Sequence, residues 1–466
     1  MDQIKRMLRD TSFLKKTLAI MIPVALQNLL NNVLNLVDTL MIGQLGETSV
    51  AAVGLANKVF FVFSLLMFGV CSGSSILSAQ YFGRREMVNI KRVLRLGLMI
   101  GVSASFLFVI PGLLFPGYVM RIFTPQSDMI VIGASYLAVI ALSYPLTAIS
   151  NTYTAVLRSM HYVRLPVIIT MVSIGVNVTL NYGLIYGNFG LPKMGVAGAA
   201  LATLVARIVE CASLLIAVHS KKAGDDGVGD FIHSKYDRQA EGGVAFLNKP
   251  FLQKFLLTAS PVIANEFMWG LGVTMYSLVY GRMGDAATAA ITITNTVEQV
   301  ILVFFFGICN AAAVVLGNEM GADKFKKAEE YAKNYMILQL VLSVVGAVIT
   351  LLCREYIIGI FQVSELVAGY IRLSLAVFAI YMPARMVNCL IIVAILRSGG
   401  DTRASLFLDV SGVWLIGIPM AVLGGLVFQL PIYIVYAMIL IEEIYKLVLG
   451  YLRYRQKKWL KNIVAD

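Results

Sequence analysis

Long apolar stretches separated by short polar turns set the pattern of this chain. About 20 consecutive apolar residues are enough for a helix to cross the hydrocarbon core of a bilayer. Residues 17–43, 50–80, 93–115, 129–157, 165–187, 195–218, 251–281, 286–317, 334–353, 366–396, 404–428 and 432–452 each reach that length. None alternates with a period of two, which excludes a β-barrel. The pattern predicts an all-α membrane protein with twelve transmembrane helices. The first stretch also carries a polar stripe. Gln27, Asn31, Asn35 and Asp38 follow one another at spacings of four, four and three. At 100° per residue they share an arc of about 80° on one face of a helix. Asn28 and Asn32 widen the stripe, and the other faces are Leu, Ile, Val and Met. A carboxylate at the centre of such a helix costs about 2.5–3.5 kcal/mol on insertion scales, so it normally faces a bundle interior or a wet cavity. That marks Asp38 as a site. The plainer reading of the amides is glue between helices.

The pattern is duplicated. A shift of 238 residues lays the first two spans on the seventh and eighth without a gap. Pro23 meets Pro261, Gly43 and Gly46 meet Gly281 and Gly284, Ala51, Ala52 and Asn57 meet Ala289, Ala290 and Asn295, and Gly83 meets Gly321. Pro145 then meets Pro383, and one inserted residue moves the offset to 239, where Leu157-Arg158-Ser159 meets Leu396-Arg397-Ser398. Six spans is an even number, so both halves start on the same side of the membrane. The expected architecture is two six-helix bundles related by a pseudo-two-fold along the membrane normal, with a central cleft suited to alternating access. The domains expected are an amphipathic lead-in at 1–16, an N-lobe at 17–218, a polar connector at 219–250, a C-lobe at 251–453 and a basic tail at 454–466.

Composition agrees and adds orientation. The chain of 466 residues is 59% hydrophobic and 14% charged, and its formal net charge is +12. The charge does not point to nucleic acid. With the N-terminus placed in the cytoplasm, most Lys and Arg fall in cytoplasmic segments (Lys5, Arg84, Lys91, Lys221, Lys324, Lys457), while the outer loops hold Arg121, Lys193, Arg282 and Arg354. The positive-inside rule then puts both termini in the cytoplasm. All five cysteines fall in expected spans with no CxxC pair, which reads as packing. There is no HExxH and no P-loop, so neither a metalloprotease nor an ATP-driven pump is expected, and the chain is not read as an enzyme.

The two halves differ in polar content. Asp38 aligns with Tyr276 and Asn28 with Glu266, so each half has one acid in its first helix, ten residues or about 15 Å of axis apart in depth. Asn177 and Asn181, four apart on the fifth span, are the expected partners of Asp38. One carboxylate with amide oxygens is hard-ligand chemistry for sodium, or a proton site if the surroundings are apolar; sequence alone leaves both open. The second half holds Glu266, Glu298, Arg372, Arg385 and Asp409 within spans. Arg385 is expected to neutralise at least one of these acids, because separated buried charges are costly. Glu442 and Glu443 with Lys446, and Arg207 with Glu210, have the spacing of local helix pairs and read as structural. Asn265, Trp269, Tyr276 and Tyr280 recur on one face of the seventh span as a candidate substrate wall.

With these residues in view, the chain resembles the multidrug and toxic compound extrusion (MATE) family, in its bacterial branch, over essentially its whole length. The resemblance rests on "PVALQNLLNNVLNLVDTLMIGQLG" and "AAVGLAN" in the first two spans, "AQYFGRRE" and "GNEMGADKFKKA" at the two elbows, "NVTLNYGLIYG" and "GVAGAALAT" in spans five and six, and "ILRSGGDTR" after span ten. It implies a two-lobed antiporter exporting organic cations in exchange for Na+ or H+, from the bacterial inner or plasma membrane. Asp38, Asn177, Asn181, Glu266 and Glu298 would then be cation-coupling residues, with Asp38 the possible Na+ ligand. Gln27, Asn31, Asn35, Asn265, Trp269, Tyr276, Tyr280 and Arg385 would line the substrate path. No cofactor beyond the coupling ion, no nucleic acid and no partner chain is expected; the chain would act as a monomer in the bilayer. Asn181 stands where some branches carry an Asp, and Met386 falls near where other members carry an acid. The alternative is a flippase for lipid-linked oligosaccharides or lipids, of the same superfamily architecture. It would need a markedly cationic cavity for pyrophosphate.

Overall fold

The computed structural model describes residues 7, 9–220, 249–361 and 363–465. Most of the expected connector and part of the lead-in therefore lie outside the described residues. Within them the chain is helix and turn, without a strand. The helices are α1 (Thr11–Gly43), α2 (Glu47–Gly83), α3 (Met87–Leu114), α4 (Pro116–Phe123), α5 (Ser127–Ile140), α6 (Ser143–Ser159), α7 (Arg164–Tyr186), α8 (Gly195–His219), α9 (Lys249–Arg282), α10 (Asp285–Gly321), α11 (Phe325–Ile360), α12 (Glu365–Cys389), α13 (Thr402–Ser411), α14 (Ile418–Val422), α15 (Ile432–Ile439) and α16 (Ile441–Arg455). Leu390–Leu396, Gly412–Gly417 and Leu423–Val427 are π-helical.

Ten helical stretches among the described residues are long and apolar enough to cross a membrane, and α5 with α6, bent by 48°, makes an eleventh. The twelfth expected span, 432–452, is instead two short helices meeting at Leu440. The second of them, α16, buries Glu442, Glu443 and Lys446, which takes it out of the purely apolar class.

The duplication reaches down to single backbone angles. α2 and α10 are both 37 residues long. Each is preceded by a glycine at an equivalent position, Gly46 at φ 110° and Gly284 at φ 101°, a conformation open to glycine and strained for other residues. Each then starts on an acid, Glu47 or Asp285, which suits the positive end of the helix dipole. Equivalent elbow residues Arg85 and Asp323 have φ 63° and 58°, and His161 and Gly400 have φ 68° and 76°. The turns are thus the same turns, whatever side chain they carry.

Two compact units form, Leu26–Ala259 (the N-unit) and Met1–Ala25 with Ser260–Asp466 (the C-unit). The division runs within α1 and α9, near Pro23 and Pro261, so both helices contribute residues to both units. The first turns of α1 are seated in the C-unit: Phe13 packs on Tyr331 and Tyr335 with ring centroids at 5.2 and 4.8 Å, Thr17 shares a hydrogen bond with Tyr335, and Lys16 pairs with Glu319 at 2.9 Å. In the N-unit, α7 packs along α8, and α2 packs on α3, α5 and α6. Its core stacks Phe63 on Tyr144 at 5.0 Å, next to Val53, Met67, Leu137 and Ile140. Small residues bring these helices close: a side chain on Gly97 would collide with Ser74 and Thr152. In the C-unit, α12 is central and packs against α10, α11, α15 and α16. The chain end closes this unit. Trp459 is fully buried, stacks on Tyr454 at 5.7 Å, and lies so close to Gly399 that no side chain fits there.

Candidate functional site

The N-unit site is built on α1, α7 and α8. Residues four apart on α7 put Asn177 and Asn181 on one face, and both are buried. The Asn181 amide nitrogen donates to Asp38 Oδ1 at 2.6 Å and to Asn177 Oδ1 at 2.9 Å. Asn177 Nδ2 donates in turn to Thr203 Oγ1 at 3.2 Å. Of the two partners expected for Asp38, Asn181 therefore touches it directly and Asn177 reaches it only through Asn181. Asn181 Oδ1 is buried and has no hydrogen-bond partner among the described residues. An orphaned buried acceptor costs about 1–3 kcal/mol, and a half-turn of the amide would bring it to the carboxylate, where a proton or a cation would satisfy both oxygens. Among the described residues no group of three or more His, Cys, Asp or Glu could hold a metal ion, so any cation here relies on one carboxylate and neutral oxygens.

Deeper along the stripe, Gln27 is buried and donates to Thr170 Oγ1 at 3.0 Å, while Arg158 donates to Gln27 Oε1 at 3.1 Å. Thr170 reaches Glu210 at 3.4 Å, and Glu210 pairs with Arg207 at 2.6 Å, the local pair expected on the sixth span. Asn31 is half-buried and Asn35 exposed; the fold does not bring them into these networks.

The C-unit holds a larger polar interior. Glu266 is held by Arg397 at 2.9 Å. Glu298 is held by Arg385 at 2.7 Å and by the hydroxyl of Tyr436. Asp409 is held by Lys446 at 2.9 Å and by Asn265 Nδ2 at 3.0 Å. Glu442 accepts from Tyr276 at 2.8 Å, and Glu443 accepts from Asn388 at 2.8 Å. Arg385 does neutralise an acid, as expected. Two expectations change. Arg372 is not an interior charge: it forms an exposed two-pronged pair with Glu355 at 2.7 Å. Lys446 does not pair chiefly along its own helix: Glu442 lies at 3.5 Å, Asp409 on another helix at 2.9 Å.

The face proposed on the seventh span divides as well. Asn265 and Tyr280 are buried, and Tyr276 points its hydroxyl at Glu442. Trp269 is the accessible one, at 39%. Arg397, Asn388, Lys446, Glu443 and Tyr436 were assigned no functional role by spacing. One signal was present: Arg397 occupies the position of Arg158 in the repeat. The π-helical Gly412–Gly417 is closely packed at both ends. Gly412 packs against Lys446, and Gly417 against Tyr276 and Glu442. Such turns are rare and often accompany functional sites.

Bilayer-length helices in duplicated halves with buried carboxylates are an arrangement suited to membrane transport. The MatE family model matches residues 23–183 and 261–423, one match in each half, and the chain belongs to this family of transporters. It is 24% identical over 432 residues to the uncharacterized transporter YisQ of Bacillus subtilis, covering 92% of this chain and 91% of that protein. It is 24% identical over 462 residues to a protein of Thermotoga maritima named "Probable multidrug resistance protein NorM", covering 97% and 94%. An outward-facing multidrug resistance MATE family transporter shares the fold at a TM-score of 0.84, with 18% identity and 97% of each chain covered. A MOP superfamily transporter from Pyrococcus furiosus, whose binding pocket is described as of reverse polarity, shares it at 0.82, with 20% identity and 98% of each chain covered.

Proposed function

We propose that the protein is a secondary-active exporter of organic cations, driven by inward movement of Na+ or H+ at Asp38. The observation that carries this reading is the Asp38–Asn181–Asn177 chain with its orphaned amide oxygen. A carboxylate and amide oxygens that lack one positive charge are a site for one positive charge. Binding it would turn the Asn181 amide and neutralise the carboxylate on α1. The bend available at Pro23 gives α1 a second shape, and the ion would act through its different affinity for the two shapes. The names of the Thermotoga protein and of the outward-facing transporter support drug-like substrates. Buried acids in both units favour cations, and accessible Trp269 is a suitable face for a flat one. The charge bias supports cytoplasmic termini, and a monomer suffices because the chain holds both halves.

The flippase alternative is disfavoured. Arg385, Arg397 and Lys446 are each in contact with a carboxylate, which leaves no free cationic surface among them for a pyrophosphate. The test is transport by purified protein in proteoliposomes loaded with a fluorescent organic cation, at clamped membrane potential, with sodium and pH gradients imposed separately. Gradient-driven dye movement is expected, and Asp38→Asn should abolish it. Normal coupled efflux by that variant would refute the role of Asp38.

A further inference from the structure

We propose that Glu443, together with Asn388, is a second site for one unit positive charge, a proton or a sodium ion. This rests on the antiport reading above and adds a site to it. The starting point is charge balance in the C-unit interior. Five carboxylates gather there, Glu266, Glu298, Asp409, Glu442 and Glu443, against three cations, Arg385, Arg397 and Lys446. An uncompensated charge inside a membrane bundle is costly, so the interior needs further positive charge when all five acids are ionised.

The distances say where. Each cation has one close acid: Arg397 with Glu266 at 2.9 Å, Arg385 with Glu298 at 2.7 Å and Lys446 with Asp409 at 2.9 Å. Glu442 and Glu443 are left with the far side of cations already engaged, at 3.5 Å from Lys446 and 3.8 Å from Arg385. Their close donors are neutral, Tyr276 for Glu442 and Asn388 for Glu443.

The two differ in one respect. Asn388 is 3% exposed, donates to both the carboxylate and the backbone carbonyl of Glu443, and its Oδ1 has no partner. It repeats the Asp38–Asn181 arrangement: a carboxylate held by the nitrogen of a buried amide whose oxygen is orphaned. A positive charge shared by Glu443 and Asn388 Oδ1 would satisfy the surplus carboxylate and the stranded oxygen together. Glu442 has no such acceptor beside it. Asp409 has one, Asn265 Oδ1, but Lys446 already supplies its charge. The groups that face Glu443 are Arg385 and Asn388 on α12, Glu298 of α10 through Arg385, and Glu442 and Lys446 on its own helix.

Both partners stand beside a change in helix geometry. Asn388 stands at the end of α12, where the π-helical Leu390–Leu396 begins, and Glu443 follows the break at Leu440. Glu443 falls on Leu204 in the repeat, so the site is not a copy of the one at Asp38.

The test counts ions on full-length protein in nanodiscs. Radiolabelled sodium is titrated to saturation, and in a second arm protons released on adding tetraphenylphosphonium are followed in weak buffer; the arm that responds identifies the ion. About two charges per chain are expected for the native protein. Glu443→Gln and Asp38→Asn should each remove about one, and the double variant both. Asn388→Leu, which keeps the carboxylate, should weaken the second charge by about tenfold, and the change in carboxyl infrared absorption on ion exchange that remains in Asp38→Asn should be lost when Glu443→Gln is added. Melting curves establish that the variants are folded. If Glu443→Gln fails to fold, Asn388→Leu and the infrared signal of Asp38→Asn decide. Loss of a charge in Asp38→Asn but not in Glu443→Gln overturns the second site alone. A native protein that binds neither ion overturns the antiport reading and the site with it.

Discussion

The N-unit and the C-unit use the same positions for different chemistry. Gln27 and Asn265 are equivalent in the repeat, and so are Thr170 and Asp409, Arg158 and Arg397, and Arg207 and Lys446. In the N-unit the amide of Gln27 donates to a hydroxyl, Thr170, at 3.0 Å; in the C-unit the amide of Asn265 donates to a carboxylate, Asp409, at the same 3.0 Å. Arg158 reaches Gln27, an amide, at 3.1 Å; Arg397 reaches Glu266, an acid, at 2.9 Å. One backbone geometry therefore supports a largely neutral network in one half and an ionic one in the other. The lesson is that duplication conserves the lattice of helix contacts, while the charge placed on that lattice is free to diverge. In the N-unit Asp38 is held by a neutral donor, Asn181, whereas in the C-unit interior Glu266, Glu298 and Asp409 are each paired closely with a cation.

This contrast can be broken or sharpened. The largest effect is on transport and is expected at Asp38: Asp38→Asn should abolish gradient-driven dye flux in proteoliposomes, because no second acid of the described N-unit touches that amide. Next is Asp409→Leu, which takes from Lys446 its closest acid and leaves it Glu442 at 3.5 Å, and should cost about 3 kcal/mol of stability, the low end for breaking a buried ion pair. The equivalent Thr170→Val removes hydrogen bonds between neutral or singly charged partners and should cost about 0.5–3 kcal/mol. Thermal melting of both variants in one detergent checks the comparison; equal losses would mean that the two networks do not differ as described. Trp459→Ala should cost about 3–5 kcal/mol in the same assay, from a fully buried aromatic. The smallest effect is expected at Arg372→Ala. That pair with Glu355 is about half exposed, and exposed pairs contribute about 0.2–1 kcal/mol.

Much of this was legible in the residues. The spacing of Asn177 and Asn181 predicted a shared face toward Asp38, and both amides lie there. The Gly and Pro matches at a fixed offset predicted two copies of one fold, and the copies share turn angles as well. Other features were not legible. The apolar run at 432–452 concealed a broken helix, because the break at Leu440 carries no Pro or Gly to mark it. The local pair that the spacing of Glu442 and Lys446 suggested forms at 3.5 Å, but spacing did not show that Lys446 lies closer to Asp409, thirty-seven positions away, at 2.9 Å. Helical periodicity tells which residues share a face but not which neighbouring helix that face meets.

The sequence by itself determined what one helix can specify: apolar length, polar stripe, turn and bend positions, and the repeat of all of these. Each is a property of residues within about twenty of one another, governed by backbone geometry and by the cost of polar groups in lipid. Only the tertiary structure decided which charge meets which. Arg397 and Glu266 are 131 residues apart, and Asp409 and Asn265 are 144 apart. Their pairing depends on the rotation and depth of packed helices, where glycines such as Gly412 and Gly417 set the approach. A buried charge is stabilised only by the partner that this packing delivers.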